Sequence, residues 1–495
     1  MGYINNIFKR LSSLNNKNNQ KMIVAFFCIF LLAYLPILRA NYNYIDDMAR
    51  ARFGFRNWID FGRYINEYLS IVIHADILLN DISPLPQLIA IFILALVCTI
   101  IIRIFMPQPQ FSWIHIFCAL PICLSPYFLE CISFKFDALY MSLSLLFGVL
   151  PLLFISSNKV HYYLMIIICT IGMCTTYQAS SGIFMLLVVF YSAVEWNNGK
   201  ELALTILSVL WSFGFYLFGL IIFKFLIWRD NTIYHYVDSH ISNNIVQTTF
   251  DNLLVYTDIL LKDINIQWKI VVFAIVFSFL TSFVLSSKKK KYKSFIIALL
   301  VLIIGYILSY GAYLIVVKPS VFPRTMIGLG VYLALLEITT IGLPKRIMLA
   351  SISGMVCAWM LFTFSLAYGN ALAEQQRYDE YRINMIVNDL NKLPNFNNDN
   401  LREISFHGSI GHSPVVKRMI KRYGVLGRLV PIRMQEGLFY GETYILMHYN
   451  LPGWKYSDFD DKSIIPANYT SIPIFIETAF HTIRADQENI VIIVK

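Results

Sequence analysis

Long apolar runs recur along this chain from residue 22 to residue 368, and they constrain its fold more than any other feature. A run of about 20 apolar residues can cross the hydrocarbon core of a bilayer as a helix. Windows of about 19 residues, the usual length for locating spans, predict eleven membrane-spanning helices. They lie near 22–40, 84–105, 111–128, 137–155, 160–176, 181–195, 202–227, 269–286, 295–317, 325–343 and 347–368. Only 14% of the residues are charged, against roughly a quarter in soluble domains, so we predict a polytopic α-helical membrane protein.

The distribution of lysine and arginine predicts the orientation of these spans. Cytoplasmic loops of membrane proteins carry an excess of both residues, and the segments 1–21 and 288–293 are rich in them. We therefore place segment 1–21 in the cytoplasm, a transmembrane domain at 22–368 with a first outer loop at 41–83, and a C-terminal domain at 369–495 on the outer side. The first apolar run is too long for a signal-peptide core and lacks a small-residue cleavage site. We expect it to be retained as a span.

The polar C-terminal stretch 369–495 is predicted to form a small α/β domain outside the membrane. A helical pattern covers 371–393, and a basic helix follows at 414–424. Runs with the alternation typical of strands lie at 403–408, 442–449 and 489–495.

The net charge of +10 suggests a nucleic-acid partner, but its distribution argues against one. Residues 369–495 hold 14 basic and 14 acidic residues, so the whole excess lies in the membrane part. There the positive-inside rule explains it, and we expect no nucleic-acid partner. All eight cysteines lie at or before residue 357, so the polar domain has no disulfide framework.

The first outer loop carries a dense group of charges, in the stretch NYIDDMARARFGFRNW at 43–58. Two adjacent aspartates, Asp46 and Asp47, are followed by three arginines in this stretch and by a fourth later in the loop. These are Arg50, Arg52, Arg56 and Arg63. A carboxylate at the outer lip of a span can accept the proton of a sugar hydroxyl as that hydroxyl attacks, and arginines can hold a phosphate through bidentate hydrogen bonds that lysine does not reproduce. The alternative is structural: Asp46 or Asp47 caps the helix that follows, with Arg50 as its i+3 or i+4 partner.

The same loop predicts an amphipathic helix that lies along the membrane surface. Its apolar face comprises Trp58, Phe61, Ile65, Tyr68, Leu69 and Val72. Its polar face comprises Asp60, Arg63, Glu67 and His74. A second outer loop, at about 228–268, is predicted to be partly helical.

A second charged group lies in SPYFLECISFKFDALY at 125–140, at the mouth between two predicted spans. It contains Glu130, Lys135 and Asp137. Ionisable residues at such a depth are costly and usually functional or paired. The alternative to a substrate-binding role is a structural pair, formed by Lys135 with either Asp137 or Glu130.

Two shorter polar stretches complete the candidate site. In TTYQASSG at 175–182, Tyr177 and Gln178 can bind sugar hydroxyls. In KPSVFPRT at 318–325, Arg324 begins a predicted span and can hold a lipid phosphate, although interfacial arginines also snorkel without any ligand.

Motifs for nucleotide or metal chemistry are absent from the sequence. It has no P-loop, no GxGxxG, no HExxH and no paired CxxC. His407 and His412 are five residues apart and make a weak metal site, so we interpret them as structural. The adjacent Asp46 and Asp47 could bind a divalent cation, but arginines supply the same electrostatic stabilisation. The need for a metal is left open, and no other cofactor is expected.

Taken together, these motifs resemble a known family. The chain resembles the phage-type O-antigen glucosyltransferases of serotype conversion, the GtrII-like proteins. The resemblance rests on four motifs in order: a span followed by YIDDMAR, a downstream Gly62-Arg63, SPYFLECISFKFD before span four, and a YQAS turn. The GtrII-like proteins belong to the GT-C class of polytopic glycosyltransferases. The resemblance covers about residues 20–370, and it does not extend to motifs of the C-terminal domain.

The resemblance implies a function and a location. Such enzymes transfer glucose from an undecaprenyl-phosphate carrier to an O-antigen repeat of lipopolysaccharide, on the periplasmic side of the bacterial inner membrane. Their catalytic acids lie in the first outer loop, which here means Asp46 and Asp47, with inversion at the sugar and with Arg50, Arg56, Lys135 or Arg324 holding the phosphate. The partners expected are the lipid-linked donor, the glycan acceptor and the bilayer.

Two functions of other classes stay open on sequence alone. A transporter or lipid flippase would carry polar residues at mid-membrane depth in several spans. Here the ionisable residues collect at the outer ends, with Lys224 and Glu337 as the main exceptions. A polymerase or ligase of the same glycan pathway would also be polytopic, but it would not need paired acids directly after the first span.

Overall fold

The computed structural model of the protein describes residues 16–106, 110–227, 240–394, 403–435 and 469–495. These residues form two compact units. The first comprises Met1–Leu35 and Arg56–Ala367, and the second comprises Pro36–Phe55 and Tyr368–Lys495. The first outer loop is therefore divided, because its beginning belongs to the same unit as the C-terminal domain.

Within the described residues, seven helices are long and apolar enough to cross a membrane. They are Lys17–Ala40, Leu85–Phe105, Gln178–Asn197, Leu202–Phe225, Ile266–Ser286, Lys291–Leu308 and Met348–Leu390. The pair Trp113–Leu124 and Pro126–Ser133 meets the same criteria together but is bent by 63°. Three shorter apolar helices lie at Ala138–Phe154, Lys159–Cys174 and Gly328–Gly342. Each predicted span overlaps one of these elements, while eleven full crossings stay a prediction.

Hydroxyl groups inside the apolar helices bond to the helices that carry them. Thr99 donates to the carbonyl of Ala95 at 2.8 Å, and Ser142 donates to that of Ala138 at 2.8 Å. This i−4 bonding satisfies a polar group where no water is present. Serine and threonine in these helices are therefore compatible with spanning a membrane.

Glycine allows two helix segments of the second unit to meet backbone to backbone. A Cβ atom at Gly369 would lie 2.6 Å from the carbonyl carbon of Pro36. Close to it, Arg39 Nη2 donates to Asn370 Oδ1 at 2.6 Å. The contact joins the end of Lys17–Ala40 to the middle of Met348–Leu390, and any larger residue at 369 would separate them.

The amphipathic helix predicted in the first outer loop is shorter than expected. Its apolar face was predicted to begin at Trp58, which is wrong, because the helix begins at Tyr64. The helix is Tyr64–His74, and only the turn Ile59–Phe61 precedes it. Gly62 separates the two in a left-handed conformation with φ of 68°. The exposed face carries Tyr68 and Val72, which are 63% and 73% exposed. The polar face is the one packed against protein, as expected for a helix whose apolar side meets lipid.

Other helices lie outside the apolar set. They are Asp47–Phe53, Ile245–Asp263, Pro414–Arg422 and Leu426–Leu429. The second outer loop is thus partly helical, as predicted, with residues 228–239 outside the described part. The basic helix is also confirmed, ending at Arg422.

The second unit contains a four-stranded sheet with the order β1-β4-β3-β2. Its strands are β1 (Glu403–Gly408), β2 (Ile474–Glu477), β3 (His481–Ala485) and β4 (Asn489–Val494). β1 pairs with β4 in parallel, with Phe406 opposite Ile492, whereas the other pairs are antiparallel. The predicted strands at 403–408 and 489–495 are confirmed, β2 and β3 were not predicted, and the run at 442–449 lies outside the described residues.

The core of this unit joins the sheet to the polar end of the last long helix. Ile383, Ile386 and Leu390 of that helix pack with Phe406 and Ile492 of the sheet. Met48, from the acid-bearing first loop, lies in the same cluster and is 2% exposed. The helix predicted at 371–393 is therefore the C-terminal half of the long helix Met348–Leu390 and not a separate element.

Candidate functional site

The two adjacent aspartates have different environments. Asp46 stands at the N-cap position of the helix Asp47–Phe53, is half-buried, and makes no side-chain capping bond. Asp47 is 0% exposed, and its Oδ2 accepts a hydrogen bond of 3.1 Å from the backbone N of Tyr44. Asp47 thus holds the turn that precedes the helix, in the manner of the return bond of a capping box. Of the two candidate acids, only Asp46 is partly exposed, and its side chain makes no capping bond.

Backbone strain is concentrated in the loop that carries the acids. Among the described residues, four non-glycine residues have positive φ, namely Asn41, Ile45, Asn57 and Ala75. All four lie between residues 41 and 75. Ile45, directly before Asp46, has φ of 46°, which is rare for a β-branched residue. Strained residues of this kind cluster at functional sites, where the surrounding structure holds them.

The acid-bearing segment is fixed by Leu429 and Arg433 of the second unit. The hydroxyl of Tyr44 donates to the carbonyl of Leu429 at 2.7 Å. The guanidinium of Arg433 lies 3.9 Å from the ring centroid of Tyr42, and its Nη2 donates to the carbonyl of Asn43 at 3.3 Å. These contacts hold the backbone immediately before Asp46 from a part of the chain almost 400 residues further on.

Behind these contacts lies a buried acid. Asp379 is 0% exposed, and its Oδ2 lies 3.9 Å from Nε of Arg433. Gln375 Nε2 donates to its other oxygen at 2.8 Å, and Gln375 Oε1 accepts from the backbone N of Ser413 at 2.9 Å. The pair therefore supports Arg433 in its position over Tyr42.

In the first unit, five of the predicted site residues form a continuous chain of contacts, which we call the Arg63 network. It consists of Arg63, Gln178, Tyr177, Arg324 and Glu130. Glu130, 1% exposed, binds Arg324 twice, through Nη1 at 2.7 Å and through the backbone N at 2.6 Å. The Tyr177 hydroxyl donates to the carbonyl of Arg324 at 3.3 Å. A buried ion pair with this geometry fixes the loop at 324 against the helix that carries Glu130.

Arg63 is held by aromatic rings and an amide. Its guanidinium lies 5.2 Å from the ring centroid of Phe61 and 5.0 Å from that of Tyr177. Its Nε donates to Gln178 Oε1 at 3.3 Å, while Gln178 Nε2 donates to the carbonyl of Phe61 at 2.9 Å. In the part of the chain that the structure describes, no carboxylate pairs with Arg63. Its fork is therefore oriented in advance but retains its charge for a ligand.

Two other predicted residues of this unit, Asp137 and Arg56, belong to a second set, the Trp58 network. Trp58 is fully buried, and its Nε1 donates to Asp137 Oδ1 at 2.6 Å. Its backbone N donates to Glu67 Oε2 at 3.0 Å, and Glu67 Oε1 lies 3.3 Å from Arg56 Nε. The acid Asp137 and the cation Arg56 are thus both engaged within the protein.

Lys135 and Arg50 are both buried. Lys135 is 4% exposed, and its Nζ lies 3.0 Å from Asp81 Oδ2, so a partner outside the predicted cluster binds it. Arg50 is 5% exposed within the short helix after Asp46. Of the cations in the predicted site, Arg63 therefore offers the most available charge. The residues expected from the sequence to hold the phosphate were instead Arg50, Arg56, Lys135 and Arg324.

Several residues of the site were not found by sequence reasoning. Trp58 and Glu67 were assigned to a surface helix, and Asp81, Tyr42 and Arg433 were not considered. The sequence feature that pointed to most of them is the crowding of polar residues in the loop at 41–83. It does not indicate which side chains pair with one another. Among the described residues, no group of three or more histidine, cysteine or acidic side chains could hold a metal ion.

Comparison with known proteins finds a family profile that covers more than half of the chain. The profile of the family Glucosyl transferase GtrII matches residues 35–335, which include every candidate site residue predicted from the sequence. An uncharacterized 55.3 kDa protein in the gtrB 5' region of Salmonella phage P22 is 22% identical over 463 residues, covering 90% of this chain and 93% of its own. No solved structure matches the chain.

Proposed function

Because the chain belongs to the glucosyl transferase GtrII family, we propose that it transfers a glucosyl residue from undecaprenyl phosphate to the O-antigen repeat of lipopolysaccharide. The observation that carries this proposal is the family match over the charged loops of a chain whose described residues form seven long apolar helices. Nucleotide sugars are multiply charged and cytoplasmic, whereas a sugar on a lipid phosphate reaches a protein within the membrane. A polytopic GT-C-like enzyme suits such a donor.

The reaction is a direct displacement with inversion. The carboxylate of Asp46 takes the proton of the acceptor hydroxyl, and the hydroxyl oxygen forms the new bond to the anomeric carbon. The bond from that carbon to the phosphate oxygen breaks, and undecaprenyl phosphate leaves with the electron pair. We assign the base to Asp46 because the residue is half-buried and its side chain makes no capping bond, whereas Asp47 is buried and bound to the backbone N of Tyr44.

Arg63 is proposed to bind the phosphate of the donor. Its guanidinium is oriented by two rings and by Gln178, and phosphate takes parallel hydrogen bonds from such a fork. Charge stabilisation of the leaving phosphate lowers the barrier to displacement. Tyr177 and Gln178 are proposed to orient this arginine, while Glu130 and Arg324 hold the loop beside it.

We further propose that transfer occurs on the periplasmic face of the inner membrane. This requires the N-terminus in the cytoplasm and residues 369–495 in the periplasm, which the lysine run at 288–293 supports. Reporter fusions after Asn43 and Asn400 should both report a periplasmic position. A cytoplasmic signal from either fusion would contradict the orientation.

The function is tested by mass and linkage analysis of lipopolysaccharide from bacteria with and without this gene. We expect one added hexose per O-antigen repeat, and its loss when the lipid-linked glucose donor is not made. Unchanged glycan with the protein correctly inserted would refute the transfer. A change in chain length without added hexose would instead indicate a polymerase.

A further inference from the structure

The second unit carries a basic surface that the proposed reaction does not use. Between Ile404 and Gln435 the chain has six lysines and arginines and no acid, although residues 369–495 as a whole are balanced. Four of these cations lie on the helix Pro414–Arg422, called here the basic helix. They are Lys417, Arg418, Lys421 and Arg422. We propose that the basic helix binds the phosphate groups of anionic phospholipids at the membrane surface.

The helix is well formed and presents its cations outward. The hydroxyl of Ser413 caps it by accepting from the backbone N of Val416 at 3.2 Å, and Pro414 occupies the first turn, where its missing N–H is not needed. Val416 is 0% exposed and anchors the helix to the unit. The four cations listed above are all exposed.

The spacing of these cations disfavours the helix on its own. Lys417 and Lys421, and likewise Arg418 and Arg422, are one turn apart, and like charges at that spacing repel each other. In the described ranges, no acidic side chain pairs with Lys417, Arg418 or Lys421. Stability of the fold therefore does not account for the pattern, whereas an external anion does.

Contacts within the second unit tie the chain next to the basic helix to the polar ends of two long apolar helices. The short helix Leu426–Leu429 follows the basic helix after three residues. The carbonyl of Leu429 accepts from the hydroxyls of Tyr44 at 2.7 Å and of Tyr368 at 3.3 Å. Tyr44 lies just after the first long apolar helix, and Tyr368 lies where the last one turns polar. Both tyrosines are buried, at 1% and 0% exposed, so they fix Leu429 firmly at these helix ends. Lipid headgroups lie at such ends when apolar helices of this length cross a bilayer.

The expected strength follows from the charge of the leaflet. Each lysine or arginine near an anionic membrane surface contributes about 1 kcal/mol, or roughly fivefold in binding. Loss of two such charges should therefore weaken lipid contact about 30-fold. Because the contact is electrostatic and close to water, salt should weaken it as well.

The experiment uses the full chain in phosphatidylcholine vesicles that contain a photoreactive phosphatidylglycerol. After illumination, adducts are mapped by mass spectrometry. We expect them on residues 414–428, and we expect Lys421→Gln with Arg422→Gln to remove most of them. The matched control is Lys290→Gln with Lys293→Gln, which removes two exposed lysines elsewhere and should leave this labelling unchanged.

Two comparisons need no variant and keep the test decisive if the double variant inserts poorly. Labelling of 414–428 in the wild-type protein should fall at high salt and should be weak with photoreactive phosphatidylcholine. Equal labelling by both lipids, or labelling that the double variant retains, would overturn the proposal. Loss of labelling on adding glucose 6-phosphate would show a site for soluble phosphate and would also overturn it.

Discussion

The assignment of the general base rests on the difference between Asp46 and Asp47, and one pair of substitutions separates them. Asp46→Asn keeps the shape of the side chain, and no capping bond is lost because Asp46 makes none. Its stability should change by less than about 0.5 kcal/mol. The variant cannot accept the proton of the acceptor hydroxyl, so its transfer rate should fall by about 10² to 10⁴.

Asp47→Asn should have the opposite profile. In the wild-type protein this carboxylate accepts a hydrogen bond of 3.1 Å from the backbone N of Tyr44. The amide oxygen of asparagine can still accept it, but the bond is weaker because the acceptor is no longer charged. A hydrogen bond to a charged group contributes roughly 1 kcal/mol more than a neutral one, so we expect a loss of that order in stability with nearly normal transfer. Asp47→Ala leaves the N–H unpaired and should cost about 1 to 3 kcal/mol.

Both properties can be measured on the same purified proteins. Transfer is followed by mass spectrometry with a polyprenyl-phosphate glucose donor and an O-antigen oligosaccharide, and stability is followed by thermal unfolding in detergent. Donor binding by Asp46→Asn should persist, since the change lies at the base. Full activity of Asp46→Asn, together with an inactive but stably folded Asp47→Asn, would refute the reasoning.

Three further predictions concern the surroundings of the site. Arg63→Lys should raise KM for the donor about tenfold while the protein stays folded, because lysine cannot form the bidentate contact; an unchanged KM in steady-state kinetics would remove Arg63 from the phosphate site. Glu130→Ala should destabilise the protein by about 3 kcal/mol, since it leaves the guanidinium of Arg324 without its buried partner, and thermal unfolding should report this against Glu374→Ala, an exposed ion-pair residue. Burial lowers the pKa of His481 below its ordinary value of 6.5, although Asp389 opposes the shift. Below pH 6.5 the unfolded chain therefore binds more protons at His481 than the folded chain does. The contribution of neutral His481 to the free energy of unfolding is fully present above about pH 6.5 and is lost as the pH falls through the folded pKa. Hydrogen exchange of β3 should rise on acidification, and it should rise less in His481→Asn.

The sequence alone determined where the apolar helices lie. Each predicted span overlaps a helix, because the hydropathy of about 20 consecutive residues is a local property that needs no tertiary partner. The same holds for β1, β4 and the basic helix, whose periodicity is visible in a few residues. Local pattern was misleading in the first outer loop, where Gly62 breaks the expected helix with a left-handed turn.

Only the tertiary structure decided which charged side chains pair within the protein and which are available to a ligand. Glu130 and Arg324 lie 194 residues apart, and Trp58 and Asp137 lie 79 apart. It also assigned residues 36–55 to the C-terminal unit and distinguished Asp46 from its buried neighbour. A carboxylate becomes a structural acceptor or an available base according to the donors within about 3 Å of it. Folding brings those donors from distant loops, and no local pattern in the sequence records that distance.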